Sequence, residues 1–295
     1  MQGIWLPLIT PFANGLLDEV SLVRLVRRYL DTPIDGLILA ATTGEAVTLD
    51  PEETERLVNL VAATVAGKLP VYLGLCGSDT RRMARRIQDT RAWPIDGYLI
   101  TAPYYTRPSQ DGLRQHFTML AGQTEKPVAL YNIPYRTGVN MSNETLRALA
   151  GLPNIIGVKD CCAVHAQTFD LLCTRPAGFS VMTGEDALFY SAIAHGADGG
   201  ILASTHIDPA GFAATLSHLR AGNLTAALQT WRPLAAIVDL LFAEPSPAPI
   251  KHWLWREGWI ASPELRLPMT QVSENLASKI EQAVASRQRA VATAA

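Results

Sequence analysis

A lysine that closes an apolar run is costly to keep charged, and Ile155-Ile156-Gly157-Val158-Lys159-Asp160 places one there. Desolvation lowers an ammonium's pKa toward the neutral amine, which can attack a carbonyl carbon to form a Schiff base. A lysine paired with Asp160, or reaching solvent, fits the same run. Other reactive side chains end other apolar runs. Tyr131, next to last in the run from Val128 to Asn132, could deliver and remove protons. Arg136, in the loop that follows, could grip a carboxylate with two parallel N–H bonds. Thr42 and Thr43 follow Ala41, and their hydroxyls and backbone N–H groups could hold a carboxylate or relay protons. Tyr104 and Tyr105 sit together at a turn. A tyrosine in an apolar run also suits a core, and an arginine in a loop also suits a surface. Lysine, tyrosine, paired threonines and arginine all at run ends make a coherent site for amine catalysis.

Those run ends share one face only if the runs are parallel strands. Short β-branched or apolar segments at 4–9, 36–41, 71–76, 97–101, 128–132, 155–159, 179–183 and 199–203 read as strands, each followed by a helix-patterned stretch. Asp50-Pro51-Glu52-Glu53 opens a helix with an N-cap, proline at the first position and acids in the first turn. Ser142-Asn143-Glu144 and Glu185-Asp186 open two later ones similarly. Eight alternations predict a (β/α)₈ TIM barrel, whose active site lies at the carboxyl ends of its strands. A doubly wound sheet would carry a glycine-rich phosphate turn after its first strand, and residues 9–15 are not one. The reading divides the chain into a catalytic barrel at 1–223 and a C-terminal helical extension at 224–295, interrupted by Glu244-Pro245-Ser246-Pro247-Ala248-Pro249.

Bulk composition narrows the function. With 48% hydrophobic and 18% charged residues the chain is expected to fold around a large core. A net charge of −2 gives no reason to expect nucleic acid or an anionic membrane as partner. Neither a secretory leader nor an apolar run of about 18 residues is apparent, so a cytoplasmic location is expected. Cys76, Cys161, Cys162 and Cys173 follow no zinc spacing and read as reduced packing residues, with a redox or nucleophilic role for Cys161 or Cys162 as the alternative. His116, His165, His195 and His206 form no metal-ligand motif, and Arg81, Arg82, Arg85 and Arg86 read as a solvated helix face. No metal or organic cofactor is expected.

Four motifs, Ala-Thr-Thr-Gly-Glu at 41–45, Pro-Tyr-Tyr-Thr-Arg-Pro at 103–108, Tyr-Asn-Ile-Pro-Tyr-Arg-Thr-Gly at 131–138 and Ile-Ile-Gly-Val-Lys at 155–159, occur in one order. Together with Glu244–Pro247 and Leu265–Thr270 they resemble the dihydrodipicolinate synthases of the N-acetylneuraminate lyase superfamily, pyruvate-dependent class I aldolases, over nearly the whole chain. The resemblance implies that Lys159 forms the Schiff base with pyruvate and that Tyr131 donates and accepts protons beside it. It implies a relay completed by Thr42 and by Tyr105, the latter supplied across a subunit interface. Thr43 would bind the pyruvate carboxylate, Ile201 would touch pyruvate through its backbone, and Gly184 belongs to the same substrate-binding set. Arg136 would hold the carboxylate of a second substrate, aspartate-4-semialdehyde. The implied assembly is a homotetramer of two tight dimers.

The chain departs from the family at Tyr135, where a smaller residue is usual, at Asp160, where Glu is common, and at Cys161-Cys162. Tyr135 motivates the rival reading of a pyruvate aldolase acting on a hydroxylated or sugar-like aldehyde. A silent barrel acting as a scaffold is the rival from another class. Lysine-sensitive relatives of the bacterial type carry Ser, His, His and Glu where this chain has Ala46, Pro51, Thr54 and Arg82, which implies weak or no inhibition by lysine.

Overall fold

In the computed structural model, which describes residues 1–162 and 164–294, every expected apolar run contains a strand. β1 (Gly3–Pro7) is followed by a two-stranded hairpin, β2 (Phe12–Ala13) and β3 (Leu16–Leu17). Then come β4 (Gly36–Leu39), β5 (Val71–Leu75), β6 (Gly97–Thr101), β7 (Val128–Asn132), β8 (Ile155–Asp160), β9 (Ser180–Thr183) and β10 (Gly199–Ile201). Eight of them close in the order β1-β10-β9-β8-β7-β6-β5-β4, all parallel, with helices on the connections. The expected (β/α)₈ barrel is therefore the fold. The antiparallel hairpin was not anticipated, although Asn14-Gly15, both at positive φ, is the residue pair that tight hairpins favour.

The barrel interior is a packed cluster including Trp5, Ile38, Tyr72, Leu99, Met182 and Ile201. Trp5 and Tyr72 meet edge to face, ring centroids 4.9 Å apart. Gly36 permits this, because a Cβ there would lie 2.6 Å from the Trp5 ring. A second, larger cluster lies between strands and helices, where each fully buried Leu or Ile contributes about 1.5–3 kcal/mol.

Local sequence sets the helix starts. Asp50 accepts the Glu53 N–H at 2.7 Å while Glu53 accepts the Asp50 N–H at 3.2 Å, a reciprocal capping box opening helix Pro51–Val65. Ser142 caps Asn143–Leu149. Glu185-Asp186 leads instead into a short 3₁₀ turn, Asp186–Leu188, before helix Phe189–Ala194. Beyond the barrel the chain forms helices Leu224–Leu241, Ala248–Arg256 and Glu274–Ala294. The break between the first two falls at the proline-rich segment, as its chemistry requires. Trp231 on Leu224–Leu241 packs against Phe189 and Phe212, which ties the extension to the barrel's outer layer.

Candidate active site

Register places the key pair. Lys159 on β8 is aligned with Tyr131 on β7 and Met182 on β9, so lysine and tyrosine project from neighbouring strands on one face. The Lys159 ammonium stands 4.5 Å from the Tyr131 ring centroid, and Lys159 is 6% exposed. Asp160, one residue on, projects to the opposite side. Its carboxylate accepts bonds from the Thr168 hydroxyl at 2.6 Å, the Cys162 N–H at 3.1 Å and the Asn132 amide at 3.4 Å. The pairing of Lys159 with Asp160 that the sequence left open is thus absent, and the reason is strand alternation. Two other lysines are committed elsewhere. Lys126 donates to the carbonyls of Trp93 and Ile95, and Lys251 pairs with Glu45.

Gly184 gives the lysine its room. A Cβ at this position would overlap Lys159 Cε and Cys161 Sγ, so any side chain would push Lys159 aside. Its N–H donates to the Asp160 carbonyl at 2.9 Å, holding the backbone close.

A cavity of about 270 Å³ opens at the carboxyl ends of β4 to β7. Thr42, Glu45, Thr101, Tyr131 and Arg136 line it, and Ser246-Pro247 and Pro268-Met269 from the C-terminal region add to its wall. Lys159, Thr43, Ile201 and Gly184 do not line it; Tyr131 links Lys159 to it. Burial pushes the Tyr131 phenol well above its usual range, opposed by the Thr42 hydroxyl and by Arg136. The Tyr131 phenol therefore keeps its proton, with the Thr42 hydroxyl as its neighbour. Arg136 sits in the one-turn helix Pro134–Thr137, which begins directly after β7 and Ile133. Thr42 and Thr43 lie in the turn after β4, tied by N–H bonds from Gly44 and Ala46 to Ala41 and from Glu45 to Thr42.

Tyr105 stands apart. It is 92% exposed, has φ 70°, and does not line the cavity of its own chain. A bulky residue in the left-handed region is strained, and the N–H bond from Tyr105 to the Thr137 carbonyl (3.2 Å) helps hold it there. The structure thus brings together Lys159, Tyr131, Thr42 and Arg136 and leaves Tyr105 facing outward.

Glu185 was read from sequence only as a helix opener. Its carboxylate lies near the Cys161 thiol, the Tyr135 hydroxyl and Lys159, and burial raises its pKa. A Gly-Glu-Asp sequence directly after a barrel strand was the available signal. Tyr135, the family departure, is an exposed side chain whose hydroxyl lies near Cys161 and Glu185. Burial likewise raises the Cys161 and Cys162 thiols, which argues against a nucleophilic thiolate at either. His206 is structural: its Nε2 accepts the Ile9 N–H at 3.1 Å and its Nδ1 lies 2.7 Å from the Ala203 carbonyl.

The model of the dihydrodipicolinate synthetase family matches residues 1–287. A 4-hydroxy-tetrahydrodipicolinate synthase 2 from Clostridium acetobutylicum is 42% identical over 280 residues, covering 95% of this chain and 98% of that protein. Among solved structures, dihydrodipicolinate synthase from Aquifex aeolicus superposes with a TM-score of 0.94 at 30% identity, covering 98% of each chain. A dihydrodipicolinate synthase variant characterised as monomeric gives a TM-score of 0.93 at 31% identity, over 96% of this chain and 95% of its own. A match across almost the entire length, on a barrel that sets Lys159 against Tyr131 beside a strand-end cavity, has one meaning: this chain belongs to the dihydrodipicolinate synthetase family.

Proposed function

We infer that this chain is a 4-hydroxy-tetrahydrodipicolinate synthase, condensing pyruvate with L-aspartate-4-semialdehyde on the route to diaminopimelate and lysine. The observation that carries the reading is the Lys159–Tyr131 pair, 4.5 Å from ammonium to ring, next to a cavity that also holds Arg136 and Thr42. Lys159 attacks the pyruvate ketone and water leaves, giving an iminium. The iminium acidifies the methyl group, and loss of a proton yields the enamine, a carbon nucleophile. The enamine adds to the aldehyde, the substrate's amine closes the ring, and Lys159 is released. Tyr131, with Thr42 beside it, moves the protons of these steps. Thr43, the Ile201 backbone and Gly184 hold pyruvate, and Arg136 takes the carboxylate of the aldehyde. The iminium is the electron sink, so the chemistry calls for neither metal nor organic cofactor.

Tyr105 completes the relay in a neighbouring subunit on this reading, which accounts for its exposure and its strained backbone. The smallest active unit is then a dimer, within a homotetramer, in the cytoplasm. Sedimentation at assay concentration should find the active species to be dimeric or larger; full activity in a monomer would contradict the relay. The rival aldehyde class rests on Tyr135 and Glu185, which place a hydroxyl and a carboxylate beside Arg136 and Lys159. Assaying pyruvate consumption with aspartate semialdehyde and with hydroxylated aldehydes decides. Condensation with aspartate semialdehyde at the higher kcat/KM supports the synthase, and preference for a hydroxylated aldehyde overturns it.

A further inference from the structure

The turn carrying Thr42 and Thr43 is anchored from an unexpected direction. Glu45, which follows Thr-Thr-Gly, sits in the left-handed region at φ 54° and is almost fully buried on the cavity wall. A buried carboxylate needs compensation. Lys251, on helix Ala248–Arg256, supplies it: its ammonium donates to Glu45 Oε1 and, at 2.8 Å, to the Glu264 carbonyl. Side-chain exposures are 0% for Lys251 and 2% for Glu45. The second carboxylate oxygen accepts the Arg266 N–H at 3.1 Å. The Arg266 guanidinium in turn bonds to the Thr48 carbonyl at 2.8 Å and forks onto Glu53, which places Pro268 and Met269 on the same wall. The ring of Phe12 lies under both cations, 4.3 Å from the Lys251 ammonium and 4.2 Å from the Arg266 guanidinium carbon.

The cavity wall next to Thr42 and Thr43 therefore contains a full negative charge whose buried counter-charge comes from the C-terminal extension. We propose that Lys251 is a positioning residue of the anionic-substrate subsite, cancelling Glu45 and clamping the Thr42-Thr43 turn so that the site accepts the pyruvate carboxylate. This rests on the pyruvate-dependent reading above. Without Lys251, the Glu45 charge beside Thr42 and Thr43 would go unneutralised, and the turn would lose its tether. The groups facing the Lys251 ammonium are Glu45 and Glu264, which favour its charge, and Arg266, which opposes it. Desolvation outweighs them and brings its pKa down to about 8. The cancellation consequently fades in alkaline solution.

Steady-state kinetics on the full-length enzyme test this. Lys251→Met should raise the pyruvate KM tenfold or more, the size of about one lost charge-assisted contact, with kcat changed far less. Glu45→Gln/Lys251→Met should recover most of that loss, and the loss and its recovery should appear in the pyruvate KM with kcat and urea stability nearly constant, a split that a purely structural role would not give. A second measurement needs no Lys251 variant. The wild-type pyruvate KM should climb above pH 8, and Glu45→Gln should flatten the climb. An unchanged pyruvate KM in Lys251→Met, a double variant no better than the single, or the same alkaline climb in Glu45→Gln overturns the proposal. A wild-type enzyme that does not turn over pyruvate at all overturns the underlying reading instead.

Discussion

Each reactive side chain owes its environment to its position on a strand or one turn beyond it. Lys159 is buried because it points inward from β8, and Asp160 is satisfied elsewhere because it points outward. Arg136 lies on the cavity wall because the one-turn helix after β7 aims it there. On the proposed assignment, replacing Arg136 with Ala removes a charge-assisted carboxylate contact of about 1.5–3 kcal/mol. The aldehyde KM should rise by roughly tenfold to a hundredfold while pyruvate binding is unchanged. Parallel losses for both substrates would remove Arg136 from the aldehyde subsite. At this scale the sequence was informative wherever a polar residue broke or closed an apolar run, since such a residue has few reasons to be there. Glu185 escaped because its neighbours, Cys161 and Tyr135, lie just beyond other strands, and no local pattern announces a contact that only barrel closure creates.

Strand boundaries were legible to within about two residues because continuous apolar runs mark parallel strands covered on both faces. The β2–β3 hairpin was missed because two-residue strands carry no periodicity. The role of Glu45 was illegible too, its partner Lys251 being far off in the chain, brought near only when the C-terminal helices dock. The helices that follow β4 and β5 also bear on feedback. Pro51 occupies the first turn of its helix, Thr54 donates its hydroxyl to the Asp50 carbonyl, and Arg82 pairs with Asp79. Glu45, the nearby acid that could have received a lysine ammonium, is already held by Lys251 and the Arg266 N–H. Titrating millimolar L-lysine into the condensation assay should leave the rate unchanged; half-inhibition in the sub-millimolar range would contradict this.

Across the whole molecule, the closure of β1 against β10 is locked by a buried histidine. His206 bridges Ile9, beyond β1, and Ala203, beyond β10, and burial brings its pKa down to about 3. A depressed histidine stays neutral in the fold while the unfolded chain takes up a proton below about pH 6.5. Its stabilising contribution is complete above that pH and is lost as pH falls toward 3. Between pH 7 and pH 5 the loss amounts to about 2 kcal/mol. His206→Gln, which does not titrate, should be less stable than wild type at pH 7, and urea unfolding should find that gap narrowed by about this amount at pH 5. A gap independent of pH would mean that His206 takes up its proton in the fold as readily as in the unfolded chain, and would contradict this.

The proposed chemistry depends on one amine. Incubating the enzyme with pyruvate and borohydride, then digesting it and measuring peptide masses, asks which lysine carries the Schiff base. Lys159 is buried beside Tyr131, whereas Lys126 is bonded to backbone carbonyls and Lys251 to Glu45. The expected result is a reduced pyruvyl adduct on the peptide containing Lys159, abolished in Lys159→Ala. No adduct, or one on Lys126 or Lys251, would contradict the mechanism.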